Sequence, residues 1–195
     1  MIKIIKYINR SLISIYYNLF YDLKIDITSS YKDPLVLEGG KNIKIGKNCV
    51  IGRKSWLSAH KKIHNKKFLP EIHIGNNVHI GNFSFITATN KIEIGNGTLI
   101  SDYFFCTDHT HKLDPLLNLP VTYHPIETKE ETKIGENCFI GIRVSIMPGI
   151  KIGDKCIIGS HSVVTKDIPN YSMAVGNPAK VIKTFDFTNK TWKRV

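Results

Sequence analysis

Paired cysteines are missing from this sequence. Four cysteines are scattered over 195 residues and none stands in a CxxC pair, the spacing that structural zinc sites use, so neither a zinc site nor a disulfide framework is expected. Long apolar runs are missing too. The longest uncharged stretch near the N-terminus, Ser11 to Tyr21, is too short to cross a bilayer, which takes about 20 residues. No small-residue cleavage site follows it, so no secretory leader is expected and the chain is read as cytoplasmic. Acidic residues are scarce: 16 Asp and Glu against 27 Lys and Arg give a net charge of +11. Such a balance points to an anionic partner, whether nucleic acid, a phosphorylated cofactor or an acidic membrane surface. No helix-turn-helix, zinc-finger or RNP-like pattern accompanies it, so nucleic acid is not the expected partner. Hydrophobic residues make up 42% of the chain, enough for one folded domain with a sizeable core.

What is present is a repeat. Between Lys133 and Thr165, aliphatic residues recur every six positions: Ile134, Ile140, Ile146, Ile152, Ile158 and Val164. Glycine follows at Gly135, Gly141, Gly153 and Gly159, and a small or medium side chain precedes by two at Cys138, Val144, Ile150, Cys156 and Ser162. A step of six fits neither an amphipathic helix nor a plain strand. It fits a parallel β-helix, in which each hexapeptide makes one side of a coil and the coils stack. The aliphatic residue should point inward, and the glycine is expected to allow the corner by taking positive φ. Cys49, Cys138 and Cys156 share the slot two before an isoleucine, and Cys106 takes an aliphatic slot. All four should point inward as small hydrophobes.

In chain order, residues 1–40 are read as an N-terminal helix and connector. Ile5, Ile8, Leu12, Ile15, Leu19 and Leu23 follow helical spacing with Lys3, Lys6 and Arg10 between them, an amphipathic pattern over residues 1–25. Such a helix can pack on its own β-helix or on a neighbouring subunit, or lie on the inner face of a membrane as a peripheral contact; packing is the favoured reading. Residues 41–183 are the β-helix, with five coils starting at Ile45, Ile74, Ile94, Ile134 and Ile152. The uninterrupted period of 18 grows by 11 residues after the first coil and by 22 after the third. These excesses mark surface loops: a basic one at His60 to Phe68, with Lys61, Lys62, Lys66 and Lys67, and a long one over 108–131. The long loop carries Leu113, Leu116, Leu117 and Leu119, too apolar for a linker, and should wall a cleft. Residues 184–195 are read as a short helix or a frayed tail.

The densest chemical cluster is Thr107-Asp108-His109-Thr110-His111, where the third coil leaves for the long loop. A histidine with an aspartate to orient it suits a general base; the plain alternative is a hydrogen-bonded loop histidine. With the sixfold repeats and the ending VVTKDIPNYSMAVGNPAKVIK, this cluster resembles the hexapeptide-repeat acyltransferases, from about Ile43 to Lys183. The branch it is most similar to holds the maltose/galactoside acetyltransferases and the polysaccharide O-acetyltransferases.

The resemblance implies an all-β, left-handed parallel β-helix and a homotrimer with active sites in clefts between subunits. It implies acetyl-CoA as acyl donor, a sugar or glycan acceptor and no metal. By alignment of local text, His111-Lys112-Leu113-Asp114-Pro115 matches the segment that carries the family's base, so His111 is the first choice. His109 is the alternative, with Asp108 shaping the site. For the cofactor the resemblance points to Phe139, Gly141, Ser160, Thr165 and Lys166, with Lys180 and Lys183 for the phosphates; for the acceptor it points to Asn82, one residue from the family position. Phe139 stands where a tryptophan is frequent. The expected reaction is O-acetylation of a sugar hydroxyl in surface polysaccharide synthesis by direct attack on the thioester. N-acetylation of an amino-sugar nucleotide and antibiotic acetylation are alternatives. From other classes, a γ-carbonic-anhydrase-like zinc enzyme needs three converging histidines and lacks the expected pair five apart; a non-catalytic scaffold would not bind coenzyme A.

Overall fold

A computed structural model describes residues 12, 15–20, 22–31 and 36–195. Within them the chain winds as a parallel β-helix with three faces. The first sheet stacks Lys24–Ile25, Ile43–Ile45, Glu71–Ile74, Lys91–Ile94, Thr132–Ile134 and Lys151–Ile152. The second begins Ser30–Tyr31, Val50–Ile51, His79–Ile80, Leu99–Ile100, Phe139–Ile140 and Ile157–Ile158. The third stacks Val36–Glu38, Trp56–Ala59, Phe85–Ala88, Phe105–Thr107, Ser145–Ile146 and Val163–Val164.

The hexad aliphatics sit in register and face inward. Ile51, Ile80, Ile100, Ile140 and Ile158 form one column, paired in succession and essentially inaccessible. Leu57, Ile86, Cys106, Ile146 and Val164 form another. Burial of each such side chain contributes about 1.5–3 kcal/mol. All four cysteines are buried free thiols. Burial raises the pKa of the Cys49 and Cys106 thiols, which keeps them protonated.

The glycines act differently from the expectation. Gly52, Gly81 and Gly141 do not take positive φ; that conformation falls two residues later, at Lys54, Phe83 and Arg143. Glycine is required because the next coil passes too close. A Cβ on Gly81 would lie 2.4 Å from the Asp102 backbone nitrogen, and one on Gly141 2.6 Å from that of Ser160.

Two segments differ from the sequence reading. The supposed connector contains the strands Lys24–Ile25, Ser30–Tyr31 and Val36–Glu38, which add one further strand to each of the three sheets below the five coils. Ile25, Tyr31 and Leu37 keep the step of six and pair with Ile45, Ile51 and Leu57. The C-terminal segment is a β-hairpin rather than a helix or frayed end. Ala179–Asp186 pairs antiparallel with Ser172–Gly176 and with Thr191–Arg194, and Phe185 packs edge-on against Trp192 across the hairpin at 5.4 Å, as cross-strand aromatic pairs do.

Residues 12 and 15–20 are helical; residues 1–11, 13–14 and 21 of the proposed helix lie outside the described residues. The helix does not reach residue 25. Asp22 takes φ 54°, and Leu23 and Ile25 turn into the core. Asn18 ties the helical turn to the first coil: its Nδ2 donates to the Ile25 carbonyl and its Oδ1 accepts the Ile25 N–H, each at 3.0 Å. Leu12, Leu19 and Phe20 remain exposed. Among the described residues no helix is long and apolar enough to cross a membrane.

The outer side of the first sheet carries an ion-pair ladder. Glu93 meets Lys91 at 3.0 Å and Lys133 at 2.8 Å, and Lys91 also meets Glu131 at 2.7 Å. The Lys133 hydrogen bond, then that of Lys91, lowers the Glu93 pKa from 4.5 to about 2. A depressed carboxylate pKa stabilises the fold above the unfolded value and loses that contribution as pH falls through the folded one. Thermal melting should therefore show Glu93→Gln less stable than wild type at pH 7. The difference should shrink below pH 4.5 and vanish near pH 2.

Candidate active site

Both long excursions leave the coil at the end of a third-sheet strand. The first, after Trp56–Ala59, contains a hairpin of Lys62–Ile63 and Lys66–Lys67. The second, after Phe105–Thr107, contains His109–His111 paired antiparallel with Ile126–Thr128. They touch one another: Lys66 Nζ donates to the Ile126 carbonyl at 3.2 Å, and the His64 and Tyr123 rings lie 5.8 Å apart. The second loop thus packs against the first, which covers the end of the third sheet.

Asp108 is the anchor beneath this corner. It is fully buried, and a buried carboxylate must be paired or hydrogen-bonded to persist. Its Oδ1 accepts the Thr89 N–H at 2.9 Å and its Oδ2 the Asn90 N–H at 2.8 Å, both from the coil below. Oδ1 also lies 2.9 Å from His109 Nδ1. Because the carboxylate accepts, the Nδ1 position carries the proton and His109 Nε2 is left as the acceptor. Thr107 Oγ1 stands 3.2 Å from the same Nδ1 and donates to the His109 carbonyl at 3.2 Å. The His109 side chain is 13% exposed. It borders a cleft of ≈ 300 Å³ with Thr87, Phe105, Thr107, Thr110, His111, Met147 and Pro148. His111 shares this cleft, but it is exposed and has no carboxylate beside it in the described structure.

The other residues singled out in the sequence fall into separate groups. Thr165 continues the column of Thr107 and Met147 by one coil, since Met147 N–H donates to the Val164 carbonyl and Ser145–Ile146 pairs with Val163–Val164. Lys166 follows it, exposed. Phe139 lies exposed on the second sheet, and Gly141 abuts Ser160 at the opposite end of the third-sheet strands from His109. Lys180 and Lys183 lie on the strand Ala179–Asp186. Asn82 sits at that same opposite corner, its Nδ2 3.2 Å from both Asp102 oxygens and its Oδ1 accepting the Arg53 N–H at 3.1 Å. Within one chain, Asp108, His109, His111 and Thr165 gather along one edge, and Phe139, Gly141, Ser160 and Asn82 along another face and corner. Two residues escaped the sequence reading, Glu38 and His60, whose side chains meet at 3.2 Å. The His60 ring stands edge-on to that of His109 at 6.1 Å and 89°. Among the described residues no three His, Cys, Asp or Glu side chains are grouped to hold a metal ion.

A three-faced parallel β-helix with a hexad core and excursions at one corner defines the hexapeptide-repeat, left-handed β-helix class. Residues 131–166 match the family model described as bacterial transferase hexapeptide (six repeats). A protein of Mycobacterium tuberculosis named "Probable acetyltransferase" is 36% identical over 141 residues, covering 72% of this chain and 44% of its own length. WbbJ of Escherichia coli K12, named for lipopolysaccharide biosynthesis O-acetyl transfer, is 32% identical over 129 residues, covering 63% of this chain and 65% of its own length. The chain therefore spans less than two thirds of either relative. Among solved structures, a mutant of AntD, an N-acyltransferase from Bacillus cereus in complex with dTDP and coenzyme A, superposes with a TM-score of 0.72. At 20% identity over 86% of this chain and 88% of that one, it shows a shared fold.

Proposed function

We propose that the protein is an acetyl-CoA-dependent O-acetyltransferase acting on a sugar hydroxyl, with a surface polysaccharide or its precursor as acceptor. The observation that carries this reading is the Asp108–His109 pair, held at the rim of a cleft on a hexapeptide-repeat scaffold. The names of the two relatives support acetyl transfer, and that of WbbJ supports transfer to oxygen on a lipopolysaccharide.

In this mechanism His109 Nε2 takes the proton from the acceptor hydroxyl as its oxygen attacks the thioester carbonyl. Asp108 holds the tautomer and stabilises the imidazolium that forms. The tetrahedral intermediate collapses, the C–S bond breaks, and the imidazolium returns its proton to the departing CoA thiolate. No acyl-enzyme is needed, in keeping with four cysteines that are all buried. The geometry favours His109 over His111 as base, because only His109 has a buried carboxylate at its Nδ1; His111 then borders the acceptor side of the cleft.

The residues assigned to coenzyme A, Phe139, Gly141, Ser160, Thr165, Lys166, Lys180 and Lys183, are spread over two edges of one chain. This dispersal supports a site completed between copies, in keeping with the homotrimer that the resemblance implies. The lysines would meet the phosphates as point charges.

Isothermal titration of acetyl-CoA into the protein tests the donor half without any choice of acceptor. Binding in the micromolar range that weakens as salt rises is the expected result. Failure to bind at millimolar concentrations would sink the transferase reading in favour of the scaffold.

A further inference from the structure

His60 opens a loop whose lysines dominate its sequence, yet its side chain turns away from them. His60 Nδ1 is 3.2 Å from Glu38 Oε1. Glu38 Oε2 accepts the Ser58 hydroxyl at 2.9 Å, and Ser58 Oγ accepts the Trp56 indole N–H at 2.8 Å. This chain of four polar groups spans two coils and ends against the ring of His109. Two imidazoles, each with a carboxylate at Nδ1, therefore stand side by side on the edge that borders the cleft.

Beside them, on the outer face of the third sheet, Trp56, Phe85 and Phe105 form a column. Their neighbouring rings lie 5.4 and 5.8 Å apart, the second pair stacked within 4°, and Trp56 is 41% exposed. Between this column and the histidines run Ser58, Thr87 and Thr107, paired in register. Thr87 is 5% exposed, and its hydroxyl is buried with no hydrogen-bond partner. An unpaired buried hydroxyl costs free energy until something meets it, and this one belongs to the wall of the cleft.

Aromatic faces next to a row of hydroxyl, carboxylate and imidazole groups suit a polyhydroxylated ring. Its C–H face packs on the aromatic column while its hydroxyls reach the polar row. We infer that Glu38, His60 and the Trp56–Phe85–Phe105 column form the acceptor subsite, in which His60 positions a saccharide so that one hydroxyl faces His109. The inference rests on the proposed transferase reading and adds the acceptor's place and contacts to it. His60 is a positioning residue here. Its free Nε2 meets a hydroxyl that does not react.

The test is steady-state acetyl transfer from acetyl-CoA to the methyl glycosides of galactose, glucose, mannose and N-acetylglucosamine, with wild type, His60→Ala, His60→Gln and Glu38→Gln. Loss of one acceptor hydrogen bond should raise the acceptor KM about tenfold in His60→Ala. The acetyl-CoA KM should stay within about twofold, since a positioning group on the acceptor side does not touch the donor. His60→Gln, which keeps a polar group, should recover part of the loss, and melting curves should show all variants folded. Transfer by wild type with an unchanged acceptor KM in His60→Ala and Glu38→Gln would overturn the subsite while leaving the transferase intact. Equal rises in both substrates' KM would overturn it as well, marking His60 as structural. Acetyl-CoA binding with no transfer to any of the four glycosides would overturn the saccharide subsite and the proposed acceptor together, leaving the donor half standing.

Discussion

His109→Ala should lower kcat for acetyl transfer by about 10²–10⁴-fold, the usual contribution of a general base. Acetyl-CoA affinity measured by titration should barely change, because the imidazole acts on the acceptor's proton. Asp108→Asn tests the same pair from beneath. The amide keeps the shape, but it no longer supplies two accepting oxygens to Thr89 N–H, Asn90 N–H and His109 Nδ1. A drop in kcat with a folded protein is the expected outcome there too. His111→Ala decides between the two histidines. It should leave kcat within about tenfold, since no buried carboxylate orients that ring and a base depends on its held tautomer. If His111→Ala were the silent enzyme and His109→Ala the active one, the base would be His111, as the local sequence pattern suggested.

The largest effect on stability should come from the centre of the coil. Ile100 is completely buried and sits in register between Ile80 and Ile140. Truncation leaves a void that neither neighbouring coil can fill, because both are pinned by ladder hydrogen bonds. Ile100→Ala should cost about 2–5 kcal/mol, the range for large-to-small core changes. Leu99→Ala, one position away but 43% exposed on the outer face, should cost less than about 1 kcal/mol. Urea denaturation of the two variants side by side would show the alternation directly. Comparable losses at both positions would contradict the inward column.

The repeat was readable because its physics is local. A hexad aliphatic needs only its own side of the coil, so Ile45 through Val164 could be placed from spacing alone. The first coil escaped because its Ile25–Tyr31–Leu37 step carries no glycine; Asp26 stands where Gly46 stands one coil later. The terminal hairpin escaped because its partners, Phe185 and Trp192, become neighbours only once the chain has turned at Asp186–Lys190. The helix was extended too far because Leu23 fits a helical stripe as well as a coil interior. At the site, the sequence offered Asp108, His109 and His111 together, and the local text put His111 first. The contacts that favour His109 instead run through Asp108 to Thr89 and Asn90, which lie one coil away and some 18 residues back. The Glu38–His60 pair spans 22 residues across two coils, a relation no linear motif reports.

Each excursion of the chain departs where the third sheet ends and rejoins where the first begins. Thus 60–70 bridges Trp56–Ala59 to Glu71–Ile74, and 108–131 bridges Phe105–Thr107 to Thr132–Ile134. The other two corners are held to fixed length by close backbone passage, as at Gly81 against Asp102. Tolerance to insertion is thereby confined to a single edge of the prism. That edge also carries the histidines, so on the proposed reading the part of the molecule free to vary in length is the part that would meet the acceptor. Loops could be exchanged there without disturbing the stacked columns, and a change of acceptor would then require no change of scaffold.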